Sequence, residues 1–414
     1  MKINKIVVSM IAAGVMASPL AHATNGYFAH GYGMKAKGMA GVGIALPQDS
    51  LAAATNPAGI AMVGDRMDVG VDLFKPNRNT ELMPAQFGTA AGTYSGNGES
   101  NFLIPEFGYN KSIDADSAFG VAVYGHGGMN TKYTSINAGT FNPLATPPTP
   151  PTMFGSGDVG VDLQQLFIAP TYARKLNANN AVGVSLNLAY QQFKAEGLQN
   201  FGINNPGTDS STGWGARIGW NGQVTPMVSL GATYQTKTKM GKLDKYKGLF
   251  AEQGGFDIPA NYGVGVAAKV NESTTVAADI QTIQYSGVKS IANTGNVSPT
   301  LLGQDNGPGF GWKDMTVVKL GASHQYGNDL VLRAGISTGK QPIPETETYF
   351  NVLAPWVIEN HLTLGGTWTL ANKGEVTVSY MHGFKKTVTG AGPTTGINLN
   401  MYQDSLGIAY GWKM

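Results

Sequence analysis

The side chains able to do covalent or metal chemistry are few and scattered. The histidines are His22, His30, His126, His324, His361 and His382, and there is no cysteine. None of the six has zinc-like spacing to a second ligand, so no metal is expected. The glycine pairs Gly31-Tyr32-Gly33 and Gly41-Val42-Gly43 lack the strand-to-helix setting and the Lys-Ser/Thr of a phosphate loop. No serine stands in a nucleophile motif, although a triad can be assembled from distant residues. The chain is therefore read as neither an enzyme nor a cofactor protein. Two arginines, Arg217 and Arg333, occupy polar positions in otherwise alternating segments. Each could hold a carboxylate, but a solvated charge is the commoner reading. The remaining candidates are structural. Gly125, His126, Gly127 and Gly128 interrupt a strand-like run, and three glycines in four positions permit a bulge or kink. Leu243, Tyr246, Leu249 and Phe250 lie three, three and one apart within residues 240–255, a weak amphipathic-helix signal.

The elements that must position these residues are strands. In residues 180–196, Val182, Val184, Leu186, Leu188 and Tyr190 fall on one face. Gly183, Ser185, Asn187, Ala189 and Gln191 fall on the other, a period of two with one face fit for lipid and one for a lumen. Similar runs surround Ile218, Leu230, Leu364 and Ile408. Strand centres are expected near residues 71, 106, 122, 166, 187, 218, 233, 264, 280, 320, 334, 363, 380 and 406. That is an even number, about fourteen, as bacterial single-chain barrels require. Tight turns at Asn177-Ala178-Asn179-Asn180, Thr225-Pro226, Asn271-Glu272, Asn328-Asp329 and Ala371-Asn372-Lys373 are assigned to the periplasm. Long loops alternate with them, one of them Pro-rich over 143–151. Tyr109, Tyr172, Trp220, Tyr234, Tyr262 and Trp412 sit near strand ends and would form aromatic girdles. A soluble β-sandwich would not need so many long two-faced strands.

Composition agrees with an all-β transmembrane antiparallel barrel. Charged residues are 13%, below the roughly 25% of soluble domains. Mean hydropathy is only −0.10, and no later segment has the long apolar run of a membrane helix. A barrel hides its hydrophobicity in alternation. Residues 1–23 read as a secretory signal: Lys2 and Lys5, an apolar stretch, then Ala21-His22-Ala23. Its removal takes the formal charge from +2 to 0, because this segment has two lysines and no acid. A nucleic-acid partner would demand a basic patch. Residues 24–64 contain no convincing strand and are rich in small residues, with Ile44, Leu46, Leu51, Ile60 and Met62 among them. Such a segment suits a confined space inside a barrel formed by residues 65–414. Fourteen strands leave a lumen unless something occupies it.

Several segments carry a family resemblance. Asn56, Pro57 and Ala58 form an NPA tripeptide within the N-terminal segment. LVLRAGISTG at 330–339, followed by Pro342 and Pro344, and VSYMHG at 378–383 look like late strands of the same family. With the strand count, the chain resembles the FadL family of outer-membrane transporters of long-chain fatty acids and other hydrophobic compounds, including its aromatic-hydrocarbon branch. The chain departs from many such barrels at its end, Trp412-Lys413-Met414, where an aromatic residue is usual.

The resemblance implies a gated hatch over 24–64, with Asn56, Pro57 and Ala58 at its hatch motif. Asn56 is expected to bond backbone near Gly125, His126, Gly127 and Gly128, with Pro57 fixing the turn. That glycine segment is expected to kink the third strand inward and leave a lateral opening. Leu243, Tyr246, Leu249 and Phe250 are expected in an extracellular hydrophobe-binding groove. The implied partners are a long-chain fatty acid or other hydrophobic small molecule and outer-membrane lipid. The implied setting is a monomer in the outer membrane of a Gram-negative bacterium. Two functions remain: passive transport of hydrophobic molecules with lateral release, or a general aqueous porin whose N-terminal segment narrows the lumen. The residues do not separate fatty acids from aromatic hydrocarbons.

Overall fold

A computed structural model of the chain describes residues 25–137 and 152–414. The secretory signal and the Pro-rich stretch at 143–151 lie outside the described residues. Fourteen long strands form one closed antiparallel sheet: β1 (Arg66–Leu82), β2 (Phe102–Ser112), β3 (Ser117–Tyr133), β4 (Val159–Asn177), β5 (Asn180–Glu196), β6 (Asp209–Thr225), β7 (Val228–Gln235), β8 (Asn261–Lys269), β9 (Thr274–Ile283), β10 (Met315–Tyr326), β11 (Leu330–Gly339), β12 (Asn360–Thr369), β13 (Gly374–Val388) and β14 (Ile397–Lys413). Each pairs with its sequence neighbour, and β14 closes on β1 from Arg66↔Lys413 to Leu82↔Ile397. Two shorter strands, Gly92–Ser95 and Lys239–Met240, add to the loop ends of β1 and β6.

Every expected strand centre falls within its strand, because the pleat alternates side chains between lipid and interior. On β5, Leu188 is 43% exposed while its neighbour Asn187 is 1% exposed. Several strands outrun the roughly 9–11 residues a membrane requires, reaching 19 residues in β4, whereas β7 has 8. The tight turns all lie at one end, and the barrel begins and finishes there, with the Met414 amide donating to the Asp65 carbonyl at 3.0 Å.

Residues 25–64 run as short helical pieces: Met34–Lys37, a 3-10 turn at Ser50–Ala54 capped by Asp49, and another at Pro57–Ala61 capped by Asn56. This segment packs against inward-facing positions of all fourteen strands. Glycine makes that approach possible. A Cβ at Gly183 would overlap the backbone of Pro57, one at Gly231 the backbone of Ile44, and one at Gly335 the Met39–Ala40 peptide. The excess of glycine in the alternating strands is thus the inner lining against which the segment rests.

The single amphipathic helix expected over 240–255 is not formed. In its place are a 3-10 turn at Asp244–Tyr246 and a one-turn helix at Ala251–Gly254, within which Glu252 and Gln253 take positive φ. Gly248, Gly254 and Gly255 interrupt any longer helix, since glycine costs about 1 kcal/mol in a helix interior.

Candidate functional site

The NPA tripeptide sits on the inner face of β6. Asn56 is 1% exposed. Its Oδ1 accepts from the Ala58 amide at 3.1 Å, capping the turn. Its Nδ2 donates to the Ile44 carbonyl at 2.7 Å and to the Trp220 carbonyl at 2.9 Å. Pro57 occupies the first position of the turn, where its fixed φ suits the helical start. This corrects the expected partner of Asn56. The asparagine bonds β6, not the glycine segment of β3, because both amide hydrogens are taken where Gly219 brings that strand against Asn56 and Pro57.

The glycine segment of β3 is met by residues 27–29. Ala29 donates to the His126 carbonyl and Gly128 donates to the Tyr27 carbonyl, both at 3.0 Å. Phe28 forms an antiparallel bridge with Gly127. Here the β3–β4 register slips by one residue, between Gly125↔Leu166 and Gly127↔Gln165. His126 is fully buried; its ring stacks on Phe167 at 4.2 Å, and its Nδ1 shares a hydrogen bond of 3.0 Å with the Tyr32 hydroxyl.

The same bulge opens a seam in the wall. Pairing of β2 with β3 ends at Glu106↔Tyr124. Above that point β2 continues along β1 to Phe102↔Phe74, while β3 continues along β4 to Tyr133↔Val159. Residues 102–105 and 125–133 therefore belong to one sheet without pairing to each other. The seam is closed higher up by the loop after β1, where Lys132 donates to the Gly96 carbonyl at 2.9 Å and Gly98 to the Lys132 carbonyl at 3.0 Å. Arg78, fully buried on β1, supplies donors inside this rim. Its guanidinium bonds the Asn130 carbonyl, Asn130 Oδ1 at 3.1 Å and the Glu99 carbonyl, and lies 5.9 Å from the Phe102 ring centroid. Open backbone groups at this depth would each cost several kcal/mol in lipid.

Charged side chains tie the N-terminal segment to the wall. Lys37 pairs with Asp72 at 2.9 Å and Glu106 at 3.5 Å, and Lys35 with Glu375 at 2.6 Å. Burial depresses the Lys35 ammonium, with the Arg66 charge adding to that effect. Burial also acts to lower Lys37, but Asp72 and Glu106 outweigh it and hold it above the usual lysine range. Asp49, buried beside Asp68, is pushed up to about 7, by burial first and by that neighbouring charge second. Gly43 and Ile44 donate to Asp279 at 2.8 and 3.1 Å, and Lys319 donates to the His30 carbonyl at 2.9 Å.

Arg217 and Arg333 are both buried at this boundary rather than solvated. Arg217 donates to the Thr55 carbonyl at 3.0 Å, and Arg333 to Gln48 Oε1 at 3.0 Å and Thr367 Oγ1 at 2.6 Å. Neither forms an ion pair with a carboxylate among the described residues. Arg78, Asp72, Glu106, Asp279, Lys319 and Glu375 were not singled out from the sequence. Each lies on the inward parity of its strand, and that charge inside an alternating pattern is the signal that marks them.

An apolar cleft of about 470 Å³ opens among the loops above β1, β3, β5, β9, β11 and β13, lined by Phe87, Met153, Phe201, Phe350 and Ile397 among others. The same packed cluster of apolar side chains extends from these residues down to Tyr27, Phe28 and Tyr124 beside the bent strand. Leu243, Tyr246, Leu249 and Phe250 do not line the cleft. They are buried in the same apolar cluster, with Tyr246 and Phe250 against the Phe193 ring at 4.6 and 4.8 Å. The Tyr246 hydroxyl accepts from the Ala195 amide at 2.7 Å and donates to the Gly207 carbonyl at 2.8 Å.

A family model described as outer membrane protein transport protein (OMPP1/FadL/TodX) matches residues 14–411. The chain belongs to this family. Its members are β-barrels of the Gram-negative outer membrane, and that is where this chain is placed. Among solved structures, the toluene transporter TodX of Pseudomonas putida superposes with a TM-score of 0.70 at 19% identity, over 94% of this chain and 100% of that one. A Pseudomonas aeruginosa FadL homologue gives 0.70 at 14% identity, over 94% and 99%. The Ralstonia pickettii toluene transporter TbuX gives 0.63 at 18%, over 93% and 99%. At these identities the family likeness in structure is one of fold. No curated protein shows a significant match.

Proposed function

We propose that this family member moves hydrophobic molecules, long-chain fatty acids or aromatic hydrocarbons, passively across the outer membrane. Solute enters the apolar cleft among the extracellular loops. It passes through the apolar interior above residues 24–64, which act as a hatch with Asn56, Pro57 and Ala58 at its hinge on β6. It leaves sideways where β3 bends at Gly125, His126, Gly127 and Gly128. The observation that carries this reading is the seam: β2 and β3 part above Glu106 and Tyr124, and residues 27–29 take up the backbone groups that β3 withdraws.

Physical chemistry favours a sideways exit. An apolar solute released into hydrocarbon keeps about 25 cal/mol per Å² of apolar surface out of water. An axial exit would forfeit that gain at the periplasmic face. The toluene transporters of the same fold are named for an aromatic hydrocarbon, which supports a substrate of that class here. The porin reading is disfavoured by a segment that reaches every strand and bonds the wall through Lys37, Asn56 and Asp279. Uptake of oleate and of toluene by a transporter-deleted host, with ion conductance in planar bilayers, tests the proposal. Uptake of either compound with little steady current supports it. Continuous current without uptake would establish a porin.

A further inference from the structure

Leu166 breaks the pattern of its own strand. On β4 it pairs with Tyr190, which is 44% exposed to lipid, and the next outward residue, Ile168, is 43% exposed. Leu166 is only 6% exposed. It packs in one cluster with Phe102 and Ile104, which face inward on β2, and with Val123 at its margin. An outward leucine and inward residues two strands away can share a cluster only because β3, which stands between them in sequence, has left the wall above Tyr124. On its other side Leu166 lines an apolar depression of about 640 Å³ on the lipid face, with Ile168, Leu188, Tyr190 and Trp214. Leu166 is thus common to the interior cluster and the outer depression.

We infer that Leu166, closing against Phe102 and Ile104, is the side-chain gate of the lateral exit, shut at rest, and that the depression beyond it is where the hydrophobic solute first meets lipid. This inference rests on the lateral route proposed above. On the β3 side of the seam the backbone is already bonded, at His126 and Gly128 by residues 27–29 and at Asn130 by Arg78. Because β2 and β3 do not pair above Glu106 and Tyr124, side chains are what stand in the way below the Gly96–Lys132 rim. A leucine rotates between staggered rotamers without breaking a hydrogen bond, so opening needs no movement of the sheet. The gate therefore acts separately from the hatch and limits the size of what passes.

The test compares Leu166→Ala and Leu166→Trp with the wild type in oleate uptake by whole cells, normalised to folded surface protein judged by heat-modifiable mobility. Leu166→Ala is expected to raise the initial rate several-fold and Leu166→Trp to lower it, with extracellular binding of oleate unchanged in both. Gly127→Val is run alone and combined with Leu166→Ala. If Gly127→Val abolishes uptake and the added alanine does not restore it, while the Leu166 variants shift the rate in opposite directions, the gate stands. If Gly127→Val abolishes uptake but both Leu166 variants transport at the wild-type rate, the gate is wrong and the lateral route survives. If Gly127→Val leaves uptake unchanged, the lateral route fails and takes the gate with it.

Discussion

The carbonyl of Tyr27 accepts the amide of Gly128 at 3.0 Å, so residues 27–29 replace the neighbour that β3 gives up on bending inward. A strand in a closed barrel normally spends every backbone group on its two partners. Here one partner is exchanged for the N-terminal segment, which bonds the β3 edge at His126 and Gly128. Opening of the wall and seating of the segment are therefore one structural event. Predictions about either should read out on both.

Asn56→Ala should loosen the N-terminal segment while leaving the barrel assembled. It removes the bonds to the Ile44 and Trp220 carbonyls and the cap on Ala58. Buried acceptors left without partners cost about 1–3 kcal/mol each. Hydrogen exchange should rise across residues 43–60 and steady ion conductance should increase. Unchanged exchange in that stretch would remove Asn56 from any role in holding the segment.

Arg78→Ala should disorder the upper half of the seam. The Asn130 and Glu99 carbonyls would lose their donor in a water-poor site. We expect a local destabilisation of about 1–3 kcal/mol, read as faster exchange over residues 125–133. Uptake should fall, and Arg78→Lys should restore it only in part, because a lysine is a point donor without the planar fork. Full activity and full protection in Arg78→Ala would show that the rim holds without it.

The Asp49 carboxyl should make the fit of the segment depend on pH. Its folded value is pushed up from the ordinary 3.8 to about 7. A raised carboxyl favours the folded state in its protonated form. The stabilisation is therefore complete below about 4 and is lost as pH rises through about 7. Exchange protection over residues 49–55 should decline across that window. Asp49→Asn keeps an oxygen that can accept from the Leu51 amide, so the cap persists and the decline should vanish. A variant with the wild-type pH profile would assign the effect to another group.

Much of the barrel was legible in the sequence, because its rule is local. Val182 to Tyr190 alternate with Gly183 to Gln191, and lipid and interior sort them directly. Turn positions such as Asn177 and Asn372 were legible for the same reason: their side chains bond backbone two residues on. The site was less legible. The glycines of β3 signalled a bulge, but the identity of the segment that meets them depends on how residues 25–64 thread the lumen, which no periodicity encodes. Asn56 was placed against the wrong strand for that reason. Leu243 to Phe250 showed helical spacing, yet Gly248 and Gly254 broke the helix and tertiary packing on Phe193 buried the side chains. Leu166 reads as one more lipid-facing leucine, and only the closed sheet shows that β3 no longer screens it from Phe102 and Ile104.

The central claim is that hydrophobic solute leaves through the seam beside β3. Replacing Gly125 and Gly127 by Val tests it most directly. A side chain at Gly127 would overlap the Tyr27 carbonyl, so the strand and the N-terminal segment cannot keep their contact. The measurement is the initial rate of oleate and toluene uptake by cells bearing the double variant, at matched surface abundance and with extracellular binding assayed in parallel. The account predicts that binding persists and uptake of both compounds falls to the level of the transporter-deleted host. Uptake at the wild-type rate, with a crystal structure of the variant showing β2 and β3 sealed above Glu106 and Tyr124, would contradict it and require release along the barrel axis.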